Sequence, residues 1–138
     1  MPQDLPTALG RYRQNLIALV EEAARLDVRL VFVTQPAVWS PALPEVFWHN
    51  LWLMYKGSRD TPYGRYSPAI SADLMTAYNG VVLDVCQAYT LVCVDASALN
   101  GEVAYFYDDV HLNSAGSHAL AAVIWQTLEP VLATEKAG

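Results

Sequence analysis

The chain has 138 residues, room for one domain of ordinary size. With 54% hydrophobic and 16% charged residues, it has the balance of a packed globule rather than a disordered tail, and no apolar run is long enough to suggest a membrane span. A formal net charge of −6, with the eight Lys and Arg scattered, leaves no footprint for nucleic acid.

From Leu5 to Leu26, apolar residues recur at Leu9, Tyr12, Leu16, Val20 and Ala24. That spacing predicts an amphipathic helix, with Gly10 weakening its first turns. Val28 to Thr34 is β-branched and nearly all apolar, the pattern of a strand covered on both faces, and Pro36 stops it. Residues 35–67 form a long stretch rich in Pro and aromatics, including Trp39, Phe47, Trp48 and Trp52. A short helix is expected there, from Pro44 to about Tyr55, with turns at Gly57, Pro62 and Gly64.

Ser71 to Ala88 reads as a second long helix, capped by Ser71 and open to a kink at Gly80. Leu91 to Asp95 is a second short buried strand, and Ala104 to Tyr107 a further extended piece. Asn113 or Ser114 then caps a last helix with Leu120, Ile124, Leu128 and Val131 along one side; Pro130 should end or kink it. Helices alternating with buried strands predict an α/β fold with a parallel sheet. Two strands are too few for such a sheet to stand alone, so part of it is expected outside this chain. Cys86 and Cys93 are expected as buried thiols rather than a bridge. Met-Pro-Gln-Asp lacks the basic and apolar segments of a signal peptide, which leaves location open and cytoplasmic by default.

The chemistry concentrates in Tyr105-Phe106-Tyr107-Asp108-Asp109-Val110-His111-Leu112-Asn113-Ser114-Ala115-Gly116. An acid three residues before a histidine can curl back onto the ring. It then holds Nδ1–H and aims Nε2 outward as a general base. Asp109 competes for that role but fits the spacing less well, and is expected as a solvated loop acid. A metal site from Asp108, Asp109, His111 and His118 is the rival chemistry; no further ligands close a tetrahedral set, so no metal is expected. His118 and His49 read as ordinary helix residues. Trp39, just past the end of the first strand, is the candidate for substrate contact, because parallel sheets bind ligands there.

The run Asp-x-x-His-Leu-Asn-x-x-Gly, from Asp108 to Gly116, resembles the last sequence block of the SGNH/GDSL hydrolase family. Val31 to Pro36 resembles that family's fourth strand, and Tyr78 through Asp95 its following helix and fifth strand. The resemblance spans nearly the whole chain, as the family's C-terminal half. It implies a flavodoxin-like three-layer parallel sheet, represented by its C-terminal strands and helices. It also implies hydrolysis of a small acyl or acetyl ester without metal or organic cofactor. In it, His111 is the general base and Asp108 the residue that orients it.

The family's Gly-Asp-Ser nucleophile block and its oxyanion donors have no counterpart here. Ser40, Ser58, Ser67, Ser71, Ser97, Ser114 and Ser117 lie in no such block or elbow; Gly57-Ser58 is expected to follow no strand. Loss of that serine costs on the order of 10⁶-fold in rate. The chain alone is therefore expected to be inactive, the serine coming from a missing N-terminal half or another chain along the open strand edge. The alternative expectation is a non-catalytic relative that acts as an interaction module.

Overall fold

The computed structural model describes residues 2–53, 55–57 and 62–136. Helix α1, Leu5–Arg25, carries the predicted apolar face, with Leu16 and Val20 buried. Strand β1, Val31–Val33, follows. It is shorter than expected because its partner β4, Val92–Val94, is also three residues long. The two pair in parallel, Val31 with Val92 and Val33 with Val94. Phe32 and Cys93 pack against the α1 side of the core. By alternation, Val31, Val33, Val92 and Val94 face the other way, and Val33 stays 39% exposed. The fold is thus mixed helix and strand around a small parallel sheet, as an α/β reading requires.

Several boundaries differ from expectation. The insert holds a 3₁₀ helix, Glu45–Asn50, shorter than the predicted helix. It then forms an antiparallel pair, β2 Tyr55–Gly57 and β3 Pro62–Arg65. Gly64, at φ 136°, takes a backbone conformation that side-chain-bearing residues rarely adopt. Because β2 ends at Gly57, Ser58 does follow a strand; Ser58 itself lies outside the described residues.

Helix α2, Pro68–Tyr89, starts three residues before the predicted cap. Ser67 caps it, its hydroxyl accepting from the Ile70 N–H at 3.3 Å, and Pro68 sits in the first turn, where a missing N–H costs nothing. Ser71 is instead buried in the first turn. The helix continues through Gly80 without a break. The predicted extended piece at Ala104 to Tyr107 is a 3₁₀ turn, Val103–Tyr105, followed by a single bridge between Phe106 and Leu112. Helix α3, Ser114–Lys136, runs through Pro130.

Cys86 and Cys93 are joined as a disulfide, with Cα atoms 6.1 Å apart, which corrects the expectation of two thiols. The cause is local. Thr90 ends α2 in the left-handed conformation, φ 54°, and the Leu91 N–H returns to the Cys86 carbonyl at 2.9 Å. The chain doubles back, and residue 93 arrives beside residue 86.

Two apolar clusters result. One joins Leu16 and Val20 of α1 to Val81, Val82, Val85 and Cys86 of α2. The other gathers Ala37, Val38, Trp39, Leu43, Phe47 and Phe106 beneath the histidine loop. Helix α3 meets β4 and the 3₁₀ turns Ser97–Leu99 and Val103–Tyr105, but Trp125 and Leu132 remain 56% and 41% exposed. No helix among the described residues is long and apolar enough to cross a membrane.

Candidate active site

Polar clasps at the carboxyl ends of the strands build the site. Thr34, directly after β1, is buried; its hydroxyl accepts from the Ala96 N–H at 2.8 Å and donates to Asp95 at 3.3 Å. Asn79 of α2 holds Gln35 by two bonds, accepting from its N–H at 2.9 Å and donating to its carbonyl at 2.8 Å. Asn100 accepts from the Ala37 N–H at 3.0 Å, and the Val38 N–H donates to the Asp109 carbonyl at 3.0 Å. The chain leaving β1 is thereby tied to the loop that carries the histidine.

The Leu-Asn-x-x-Gly run has a physical role. Asn113 accepts from the Gly116 N–H at 3.0 Å, which caps α3, and donates to the Ala104 carbonyl at 2.8 Å. Gly116 is buried against Tyr105, and a Cβ there would collide with the Tyr105 backbone carbonyl. The start of α3 can seat against the preceding turn only with glycine at that position.

On this base Asp108 folds over the loop. Its Oδ1 accepts from the Val110 N–H at 3.1 Å and the His111 N–H at 3.0 Å. The His111 Nδ1 lies 2.9 Å from both carboxylate oxygens. An ionised carboxylate only accepts, so Nδ1 carries the proton, and in the neutral ring Nε2 then keeps its lone pair. Burial is the largest single influence on the Asp108 carboxyl and raises its pKa. Bonds from the His111 and Val110 backbone, the Trp52 indole and the His111 ring together outweigh burial and hold it at about 2, below the ordinary 3.8. The His111 side chain is 62% exposed. Among the described residues its ring bonds run to Asp108 alone, and no serine hydroxyl reaches it.

Trp52 completes the site, and nothing in its sequence setting marked it. Its ring lies nearly parallel to the imidazole, 8° apart with centroids 5.9 Å apart. Trp39, expected to meet substrate, is buried at 4% exposure, and its indole N–H donates to Asp109 at 2.9 Å. The cavity it borders, with Ala72 and Met75, is about 120 Å³. That is well below the roughly 300 Å³ at which ligand pockets begin. Asp109 is not the solvated acid expected: it is fully buried, because the insert folds over it and supplies donors.

His118 turns to its own helix, donating from Nδ1 to the Ser114 carbonyl at 2.7 Å, and His49 is exposed in the 3₁₀ helix of the insert. Among the described residues no three His, Cys, Asp or Glu groups converge on a metal position. A larger cavity, about 610 Å³, opens at the amino ends of the strands between Val20, Leu30, Tyr89 and Leu91, and touches no residue of this site. Chemically, the arrangement offers a base: an exposed imidazole nitrogen, with its partner nitrogen fixed by a charged carboxylate. No protein-family model matches the chain, and neither does a curated protein or a solved structure.

Proposed function

We propose that this chain contributes the histidine–aspartate part of a serine-dependent ester hydrolase of the SGNH/GDSL type. The remaining strands of its flavodoxin-like three-layer sheet, and the serine itself, come from another stretch of polypeptide. The observation that carries this is the His111 Nδ1 seated 2.9 Å from both Asp108 oxygens while the side chain faces solvent. The open outer side of β1 supports it: among the described residues β4 is the only strand on its ladder. So do Val33, Trp125 and Leu132, whose exposed apolar surface fits a sheet that continues.

In this reading His111 Nε2 takes the serine proton as the serine oxygen attacks the ester carbonyl. Asp108 stabilises the imidazolium. The proton then goes to the leaving alcohol, and an acyl-enzyme remains. His111 next deprotonates a water, which releases the acid and restores the serine. The substrate class is a small acyl or acetyl ester, and no metal or organic cofactor takes part.

The open β1 edge also favours a second reading, a non-catalytic module that pairs with a partner strand. The DNA before the Met1 codon separates the two. An in-frame Gly-Asp-Ser block supports the hydrolase reading, and a stop codon with a ribosome-binding site supports the module. A fluorophosphonate probe tests the chain itself. No serine of the isolated chain should be labelled, and stoichiometric labelling of one would overturn the proposal that the nucleophile comes from outside.

A further inference from the structure

Asp109 has no part in the chemistry above, yet it is the buried acid of the loop and holds three donors of its own. It is fully buried, and a buried carboxylate needs donors to offset its lost hydration. Three come from the aromatic insert, far away in sequence. The Trp39 indole donates to Oδ1 at 2.9 Å. The Trp52 and Leu53 backbone N–H groups donate to Oδ2 at 2.6 and 3.1 Å. Charge-assisted bonds of this kind are short and directional, so they fix where the backbone of residues 52 and 53 runs. On that backbone the Trp52 side chain stands against the histidine loop. Its ring lies parallel to His111, and a bond from its side chain is among the causes that hold the Asp108 carboxyl below its ordinary range.

We propose that Asp109 and Trp52 are positioning residues for the Asp108–His111 pair: Asp109 pins the insert, and the Trp52 indole locks the Asp108 carboxylate while its ring walls one side of the imidazole. The purpose of the device rests on the hydrolase reading; its geometry does not. The doublet Asp108-Asp109 then divides the work, one acid turned to the imidazole and its neighbour turned inward to hold the wall.

The indole also draws on the charge that Asp108 presents to His111. An acceptor shared between two donors favours the imidazolium less than one devoted to it. Among the described residues Asp108 is the charged group bonded to the ring; Asp109, Tyr105 and Tyr107 share its loop, and Arg65 belongs to the insert. Arg65 donates to the Leu51 carbonyl, next to Trp52. None of these changes when the Trp52 indole is replaced by a ring of similar shape.

The test is an NMR titration of the His111 imidazole in the whole chain, without any nucleophile or substrate. It therefore reports on positioning even if the hydrolase reading fails, and the probe and DNA results above report on that reading alone. Trp52→Phe keeps the wall but removes the N–H, and should raise the His111 midpoint by roughly half a unit, about a threefold gain in proton affinity. Asp109→Asn should shift it the same way by releasing the insert. Trp39→Phe leaves both backbone bonds to Asp109 intact and should not move it. An unmoved or lowered midpoint in Trp52→Phe overturns the proposal. An unmoved midpoint in a folded Asp109→Asn overturns the role of Asp109. If Asp109→Asn loses its native near-ultraviolet dichroism, the two Trp variants decide: a Trp39→Phe shift equal to that of Trp52→Phe means a general loosening and overturns the specific device.

Discussion

Around Leu16, Val20, Val81, Val82, Val85 and Cys86 the buried side chains among the described residues are apolar, joined by a disulfide, and the contacts join helix faces to a sheet face. Around Trp39, Phe47 and Phe106 the interior is as well buried but is organised by a carboxylate. Asp109 there gathers bonds from Trp39, Trp52 and Leu53, and the neighbouring loops are clasped by Asn100 and Asn113. The first region is held by non-directional burial, which tolerates small adjustments. The second is held by directional bonds to buried groups, which fail abruptly when a partner is removed. On the function proposed above, a loop that presents an imidazole at a fixed angle is better served by the second kind of support.

The comparison can be broken at its polar side first. Asp109→Ala strands the Trp39 indole and two backbone donors, each costing about 1–3 kcal/mol when unsatisfied. A loss of roughly 3 kcal/mol or more is expected in urea melts; a loss under 1 kcal/mol would mean that these bonds do not organise the region. On the apolar side, Val85 is fully buried, and Val85→Ala should cost about 2 kcal/mol through lost burial and a small cavity. Its effect should leave the His111 titration unmoved, since the two clusters are separate; a moved midpoint would show them to be coupled.

The smallest effect is electrostatic. Asp108 has a folded pKa of about 2 against an ordinary 3.8. A depressed pKa contributes stability above the unfolded value and loses it as pH falls through the folded one, so the loss should fall between about pH 4 and pH 2. Comparing acid melts of the protein and Asp108→Asn isolates this share, expected at about 1 kcal/mol after solvent screening. Parallel acid profiles for the two would show that Asp108 is not held as described.

The two regions were unequally legible in the sequence, for the same reason. The Leu16 and Val20 spacing announces a helix face, and Val31-Phe32-Val33 a covered strand, because periodicity is a local signal. The Asp108–His111 contact was legible too, since it spans three residues. Asp109 looks solvated in the sequence because its donors stand 56 to 70 residues away, and no local pattern reports a partner at that distance. Trp52 was one aromatic among several in the insert. The β2–β3 pair has strands of three and four residues, too short to show alternation. The disulfide depended on the left-handed turn at Thr90, a conformation that threonine does not advertise.

The parallel sheet has two strands among the described residues, so each keeps one row of peptide groups with no ladder partner there. Such rows recognise other backbones without regard to sequence. Dilution should therefore matter to this molecule: at low concentration water satisfies those groups, and as concentration rises copies of the chain compete for them, so the yield of monomer after refolding should fall with every increase in protein concentration.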